Sequence, residues 1–587
     1  MAKDRPIAQR DYPPGCRPAS SLQVPVQVPA NGRRIRSPNL SSGTPRGRAS
    51  RTPSIPSEPS TPKPSIDVVW NFVPDPNDTP EELYPKRRRR YAALLAYFQQ
   101  LHERGEVTVR PDQEAMRIMR QDKQSCEWTG IGDVPGVPIG DFYYYRSELF
   151  VLGLHRAMQA GIAYKGQGEN SIGCSIVASG GYEDDKDHGE TMTYTGQGGN
   201  DKATRQQVRD QVAEKGNLAL QHSCWQGQPV RVIRGHFNIP TNQSPSRKIY
   251  SYDGLYTITK ESLERGASGF LVFQFSLLRT PGQPELGSKL VSFVGKLNKG
   301  TERRTGLVIV DISDGEEPLP VGVVNTVDGS RPPAAFEYTT KLRYPRGFSF
   351  PSYPSSRCFC QDCSADHMCS CVAKNSGRML PYNQYGQLIR ALPAVYECGK
   401  QCRCSSDCHN RVCQKGLRYR LEIFKTQNKG WGVRSWDFIP SGGFVCEYTG
   451  EVMDTNTAND MDDDEYLFNL DFKQGIEARW GDKVSNIMGS DNVRGQPKYC
   501  IDASKYGGVA RFINHSCKPN LFVQCVLYDN SNVDLPHVML FAATSIRPLQ
   551  ELTYDYGYAL DSVFDENGVP KQKPCHCDAR NCRKRMY

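Results

Sequence analysis

The stretch Cys358-Phe359-Cys360-Gln361-Asp362-Cys363 is followed by Cys369-Ser370-Cys371 and, after 26 residues, by Cys398-x3-Cys402-Arg403-Cys404-x3-Cys408, so nine thiols fall in two packets. A tetrahedral zinc takes four ligands. Nine cysteines could serve two separate ions with one thiol left over, or three ions if three sulfurs each bridge two metals. Cysteines two apart are too close to chelate independent sites comfortably, which favours the bridged cluster. Read as metal-free thiols, this hydrophilic stretch would have nothing from which to build a core. Cys413 breaks the spacing and reads as a buried free thiol. A second packet, Cys575-His576-Cys577 and Cys582, supplies three thiolates near the C-terminus, so its fourth ligand must come from elsewhere. Cys446, Cys500 and Cys525 read as strand residues.

Outward from the cysteines, 587 residues predict several domains at roughly 100 to 200 residues each. No stretch approaches the ~18 consecutive apolar residues of a membrane span, the longest candidate being Leu271 to Leu278, so the sequence reads as soluble with no membrane partner. The first thirty residues carry Pro13, Pro14, Pro18, Pro25 and Pro29 in place of a signal-peptide core. That predicts a reducing compartment, where 21 cysteines serve metals rather than disulfides. The net charge of +9 is concentrated: residues 1–65 hold 11 Lys and Arg against Asp4, Asp11 and Glu58, a balance of +8. With 13 prolines and few aromatics, that segment reads as a disordered basic tail, solvated or in weak electrostatic contact with nucleic acid.

Tyr91, Leu94, Leu95, Phe98 and Leu101 form one apolar helical face, preceded by the basic run Lys86–Arg90, a nuclear import signal or a solvated helix start. A second helix is expected from Pro111 and Asp112, with Met116 and Met119 on one side. From about Gly130 to Gln283, short β-rich runs alternate with glycine clusters, and from Gly430 to Tyr558 short strands and glycine turns resume. The fold class expected is therefore mainly β and multidomain.

Four segments then occur in order: Lys429-Gly430-Trp431-Gly432-Val433, Glu447-Tyr448-Thr449-Gly450-Glu451, Arg511-Phe512-Ile513-Asn514-His515-Ser516-Cys517 and Glu551-Leu552-Thr553-Tyr554-Asp555-Tyr556-Gly557. In this order they resemble the SET-domain lysine methyltransferases. The nine-cysteine block is similar to their pre-SET zinc module and the terminal packet to post-SET. Together these resemble the suppressor-of-variegation class, which implies methylation of lysine 9 of histone H3. Upstream, Gly132 to Gly140, Gly180-Gly181-Tyr182-Glu183-Asp184-Asp185, Tyr194-Thr195-Gly196-Gln197-Gly198-Gly199, Tyr252-Asp253-Gly254 and Ser268 to Val272 are similar to the SRA (YDG) domain, whose members flip methylated cytosine out of the duplex. SRA before SET resembles the plant-type enzymes that couple DNA methylation to histone methylation.

The resemblance implies a basic tail over 1–80, a helical bracket over 81–128, SRA over 129–285, a connecting segment over 286–345, pre-SET over 346–416, SET over 417–560 and post-SET over 571–587. It implies S-adenosylmethionine (AdoMet) as cofactor, held by Lys429, Gly430, Trp431, Tyr466, Arg511, Asn514 and His515. Tyr506 is the implied catalytic tyrosine, with Tyr554 and Tyr556 lining the lysine channel. Four zinc ions are implied: three on Cys358, Cys360, Cys363, Cys369, Cys371, Cys398, Cys402, Cys404 and Cys408, and one on Cys517, Cys575, Cys577 and Cys582. Tyr182 and Tyr194 match the stacking pair of the base pocket, and Asp185 and Thr195 its polar contacts. The partners implied are the histone H3 tail and methylated DNA, in the nucleus on chromatin.

The chemistry asks for these residue types. Methyl transfer needs a neutral amine, whereas a free lysine with pKa about 10.4 is protonated at neutral pH. An apolar aromatic channel beside a positive sulfonium disfavours the ammonium, and tyrosine hydroxyls orient the amine. A hydroxyl at Tyr554 leaves less room for a third methyl, so mono- or dimethyllysine is the expected product. The eight acidic residues between Glu451 and Gly475 suit a basic histone tail or are simply a solvated loop. In a flipped-base pocket an Asp carboxylate accepts the exocyclic amine of cytosine, which thymine lacks. The rival to an enzyme is a methyl-DNA reader with an inactive SET scaffold. The presence of Tyr506, Asn514, His515, Cys517 and the whole terminal packet favours the enzyme.

Overall fold

Helix α1 (Pro80–Glu103) begins, in the computed structural model, with Glu82 reaching back to Thr79: Thr79 Oγ1 donates to Glu82 Oε2 at 3.0 Å and the Thr79 N–H donates to the same oxygen at 2.8 Å. Residues 74–587 are described, apart from 104, 181, 202–203, 205, 238–247, 301–303, 330–335, 349–356, 362, 364–368, 376–379, 391, 460–464, 471–496, 531 and 564–567. The basic tail therefore lies almost wholly outside the described residues, as do Gly181 and most of the acidic run after Glu451.

Tyr91, Leu94, Phe98 and Leu101 of α1 are buried with Leu95 packed beside them, against Ala115, Ile118 and Met119 of α2 (Pro111–Gln121). Two arginines of the basic run ahead of them are buried rather than solvated, while the Lys86 side chain stays 38% exposed. Arg88 is buried, paired to Asp141 at 2.9 Å and to Glu148 at 3.2 Å, and donates to the Phe142 carbonyl. Arg90, 1% exposed, pairs with Asp122 and donates to Gln124. A charge on an otherwise apolar helix face is compatible with burial only where carboxylates meet it, and these come from residues far along the chain. Glu148 lies on α3 (Arg146–Val151). The far end of α1 reaches the cysteine module, where Gln100 Nε2 donates to the Leu380 carbonyl and Asn383 Nδ2 to Gln99 Oε1.

The next unit is a sheet whose path runs Ile162–Lys165, Ile172–Ala178, Val230–Phe237, Lys248–Arg265, Leu271–Arg279, Thr191–Thr195 and Lys186–Asp187, with Phe142–Tyr143 paired to the long strand. Ile162 from one end of that path and Met192 and Tyr194 from near the other share one buried cluster with Phe273 and Phe275, so the sheet curls on itself. Helix α4 (Lys215–Trp225) packs on the curl, and α5 (Gly287–Asn298) leads out of it.

The C-terminal body is four small sheets around one core. A six-stranded sheet orders Asn514–His515, Glu551–Tyr554, Trp431–Ser435, Leu421–Lys425, Gly322–Val324 and Leu307–Ile309. A four-stranded sheet orders Ala394–Tyr396, Leu521–Leu527, His537–Ala542 and Phe444–Glu447, and a three-stranded one Glu451–Asp454, Tyr499–Asp502 and Leu467–Asn469. The strand Tyr506–Gly507 pairs in parallel with Glu337–Tyr338. Residues 286–345, read from the sequence as a connection, thus supply α5 and three strands of this body. The segment Gly306 to Ile312 reads as β from its sequence and does carry the strand Leu307–Ile309, whereas Gly322–Val324 and Glu337–Tyr338 are too short to show alternation. Cys446, Cys500 and Cys525 are buried on strands, and Cys413 is a buried thiol beside the Tyr382 hydroxyl.

Candidate functional site

All nine cysteines of the central packets are buried in one cluster. A tetrahedral ion with metal–sulfur bonds near ~2.3 Å has sulfur–sulfur edges of about 3.8 Å. The Sγ separations match: Cys358 to Cys363 is 3.6 Å, Cys358 to Cys398 3.9 Å, Cys363 to Cys398 3.7 Å and Cys371 to Cys402 3.6 Å. Four-sulfur groupings overlap, with Cys358, Cys363, Cys369 and Cys398 each in more than one, which suits bridging sulfurs better than isolated sites. Donors that stabilise thiolates surround them: the Cys358 N–H aims at Cys402 Sγ, Asn410 Nδ2 at Cys398 Sγ and Arg411 Nη2 at Cys404 Sγ. The terminal packet closes the same way. Cys517, Cys575, Cys577 and Cys582 place four sulfurs within 4.8 Å of one another, with the Arg583 N–H on Cys517 and the Lys584 N–H on Cys582. Both donor sets fit zinc.

The terminal packet borders a polar corner. Asn514 and His515 pair in parallel with Thr553 and Tyr554. Asn514 Nδ2 donates to the Trp431 carbonyl at 3.1 Å and to Glu551 Oε1 at 2.9 Å, and Lys429 Nζ meets Glu551 Oε2 at 2.5 Å. Gly430, at φ +69°, turns the hairpin and accepts from Thr426. Trp431 is buried to 2% in the core, while the Lys429 side chain is 19% exposed and turned to Glu551. Arg511 is equally enclosed. Its Nε donates to the Ala503 carbonyl and its guanidinium lies 4.2 Å from the Tyr466 ring centre, which fixes Tyr466. Burial pushes the His515 imidazole down to about 4, so it is neutral; Nδ1 accepts the Tyr556 N–H and Nε2 faces Cys517 Sγ at 3.5 Å.

Beside the corner stands an aromatic enclosure. Tyr554 and Tyr556 have ring centres 4.7 Å apart, Phe468 lies 6.2 Å from Tyr554, and Tyr448 5.1 Å from Phe468. The Tyr556 hydroxyl donates to the Ile513 carbonyl and that of Tyr448 to the Tyr466 carbonyl, which holds both rings in place. Tyr506 lies on its own strand, half-buried, with the Arg343 guanidinium 4.0 Å above its ring. Reading residue types alone missed Tyr448, Phe468 and Glu551. Tyr448 and Glu551 were visible as members of quoted motifs, and Phe468 as the residue two after Tyr466 on one strand face. A cavity of about 1010 Å³ elsewhere in this body is lined by Glu317, Lys341, Arg411, Glu447 and Asp529, and no residue named for cofactor or channel borders it.

In the curled sheet, Asp185 Oδ1 accepts the Thr195 N–H at 2.8 Å, and burial raises the Asp185 carboxyl above its ordinary range although that N–H opposes the shift. Thr195 Oγ1 is buried, with the Asp185 carboxyl as its polar neighbour. Tyr194 is 3% exposed in the sheet core, and Tyr182 is half-buried in the loop above. Gly161 approaches the Tyr194 hydroxyl so closely that a Cβ there would lie 2.5 Å from it. The four residues therefore share one hairpin region, with a carboxylate and a buried hydroxyl beside two phenol rings.

Family models match along the chain: a SAD/SRA domain at residues 130–283, a Pre-SET motif at 313–411 and a SET domain at 430–557. The chain is 44% identical over 499 residues to the H3 lysine-9 specific histone-lysine N-methyltransferase SUVH6 of Arabidopsis thaliana, covering 82% of this chain and 62% of that protein. It is 42% identical to SUVH4 of the same plant, covering 78% and 76%. This chain thus spans less than two thirds of SUVH6 and about three quarters of SUVH4. The crystal structure of KRYPTONITE in complex with mCHH DNA, an H3(1-15) peptide and SAH superposes with a TM-score of 0.72 at 38% identity, covering 87% of this chain and all of that one. The chain belongs to the SUVH family, whose members carry the name histone-lysine N-methyltransferase.

Proposed function

We propose that this chain transfers methyl groups from AdoMet to lysine 9 of the histone H3 tail, stopping at mono- or dimethyllysine, and acts in the nucleus on chromatin that its SRA domain finds through methylated DNA. The observation that carries this reading is the enclosure of Tyr448, Phe468, Tyr554 and Tyr556 set directly against the Asn514–His515 corner. AdoMet, when bound, supplies an electrophilic methyl on a positive sulfonium. Lys429, Gly430 and Trp431 hold it through backbone groups, with Tyr466, Arg511, Asn514 and His515 completing its site. The aromatic walls exclude water from the lysine stem, so the amine gives up its proton without a strong protein base. The Tyr506 hydroxyl orients the lone pair, and Tyr554 and Tyr556 fix the stem. The nine central cysteines hold three zinc ions and the Cys517 set a fourth, which ties the Asn514–Cys517 loop to the C-terminus. In the upstream pocket Tyr182 and Tyr194 flank a flipped methylcytosine, Asp185 accepts its amine and Thr195 Oγ1 makes a second polar contact.

The reading is tested on reconstituted nucleosomes wrapped in methylated or unmethylated DNA of one sequence, at one fixed salt concentration. Faster labelling of histone H3 on the methylated particle is expected, with the preference lost in Asp185→Ala while turnover of a free H3 tail peptide stays normal. Equal labelling of both particles by the parent chain would reject DNA-directed recruitment.

A further inference from the structure

The four base-pocket residues lie on one stretch, Tyr182 to Thr195, and the middle of that stretch is gripped by a single guanidinium. Arg234, with its side chain 5% exposed, uses all five of its N–H donors on oxygen. Nε and Nη2 clasp the two oxygens of Asp187 at 2.7 and 2.8 Å, and Nη2 also donates to the Gly189 carbonyl. Nη1 donates to Asp253 Oδ2 at 2.7 Å and to the Tyr256 hydroxyl. Asp253 is wholly buried, and its other oxygen, Oδ1, accepts the Ser288 N–H at 3.0 Å and so caps the first turn of α5. Gly287 makes that approach possible, since a Cβ there would sit 3.2 Å from Asp253 Oδ1 and from Gly140 Cα. One helical turn on, Leu290 and Val291 pack with Phe142, Ile249 and Phe438. Phe438 belongs to the methyltransferase body, three residues past the strand Trp431–Ser435, and its ring meets Phe142 at 4.8 Å.

We propose that Arg234 and Asp253 are positioning residues that couple the base pocket to the methyltransferase body through α5, so that a methylated base in the pocket raises the turnover of the histone tail. The inference rests on the functional reading above and goes beyond recruitment, because it requires the two sites to influence each other in one molecule. A guanidinium with no spare donor and a carboxylate with both oxygens engaged transmit a displacement rather than absorb it. When the pocket closes on a base, Asp187, two residues from Asp185, moves with it, and the shift reaches the first turn of α5. Whatever part of the coupling acts on binding is reciprocal, so the histone tail tightens methylated DNA by the factor by which DNA tightens the tail, whereas an effect on the methyl-transfer step need not be symmetric.

Two variants cut the chain of contacts at different points. Asp253→Asn keeps size but has one acceptor oxygen, so it can take Arg234 or the Ser288 N–H and not both, whichever way the amide turns. Ser288→Pro leaves Arg234 and Asp253 paired and removes only the capping N–H, at a helix position where proline is tolerated; it keeps the test open if the buried Asn variant does not fold. The measurement is kcat/KM for an H3 tail peptide with full-length protein, alone, with saturating methylated duplex and with unmethylated duplex. The parent chain should gain about fivefold or more from methylated duplex alone, and both variants should keep the DNA-free rate within about twofold and still bind the duplex but lose the gain. Identical parent rates with and without methylated duplex, or a full gain retained in Ser288→Pro, would overturn the coupling while leaving the functional reading intact. A parent chain that binds no methylated duplex or transfers no methyl would overturn both.

Discussion

Replacing Glu551 by alanine removes the one group that holds two arms of the proposed cofactor corner. Its carboxylate takes Lys429 Nζ on one oxygen and Asn514 Nδ2 on the other, and the Lys429 and Glu551 side chains are 19% and 23% exposed. Each bond is charge-assisted but partly screened, so about 1 to 1.5 kcal/mol apiece is appropriate, roughly 2 to 3 kcal/mol in sum. Were all of it felt by the ligand, AdoMet would bind roughly 30- to 150-fold more weakly. Asn514 keeps the Trp431 carbonyl, and the corner also packs without ligand, so part of the loss falls on stability instead. The expected result is about tenfold weaker AdoMet binding by titration calorimetry, together with a lowered melting temperature. Glu551→Gln keeps an acceptor for Asn514 and loses the charge facing Lys429, so it should fall between parent and alanine variant. Alanine and parent proteins that bind AdoMet equally and melt together would show that Glu551 does not organise this site.

Other perturbations separate the remaining parts. Cys577→Ser should lower the metal content from four zinc ions to three per chain and abolish methyl transfer while the nine-cysteine cluster stays loaded; an unchanged count on metal analysis would reject the Cys517 ligand set. Tyr554→Phe keeps the ring against Tyr556 and removes a hydroxyl, so exhaustive methylation should shift toward trimethyllysine, read by mass spectrometry; abundant trimethyllysine from the parent would show that Tyr554 does not limit the product. Burial alone would push His537 down, but the carboxylates of Glu447 at 2.7 Å and Asp529 at 3.0 Å push it up to about 10. A raised folded pKa gives stability that is complete below the unfolded value near 6.5 and fades as pH climbs toward 10, an effect on the order of a few kcal/mol. Thermal melting between pH 6.5 and 9.5 should therefore fall more steeply for the parent than for His537→Gln, and parallel curves would deny the ion pairs that role.

What the sequence disclosed followed spacing and motif. The i, i+3, i+4 series from Tyr91 found α1, and the Cys-x-Cys pairs identified sulfurs that do converge. Cys517 could be matched to Cys575, 58 residues away, only through the order of family motifs, because nothing local to either packet points to the other. Resemblance likewise supplied Lys429 and Arg511, and the structure adds their neighbours: Lys429 is engaged by Glu551, and Arg511 is enclosed against Tyr466. What stayed hidden is tertiary. Arg88 and Arg90 read as solvent-facing charges because their carboxylates are 32 to 60 residues downstream. Val323 read as connection because a three-residue strand has no period to detect, yet it pairs with both Ile309 and Ile423 in the six-stranded sheet.

The central claim is that the enclosure beside Asn514 and His515 methylates a specific lysine. The most direct measurement is mass spectrometry of an H3 tail peptide after incubation with zinc-loaded protein and labelled AdoMet, with Tyr506→Phe and a peptide carrying arginine at position 9 as controls. One or two methyl groups on lysine 9, absent from both controls, is the predicted result. No label from the zinc-loaded protein, or label on another lysine that survives Tyr506→Phe, would contradict it and leave the SET body a scaffold for a methyl-DNA reader.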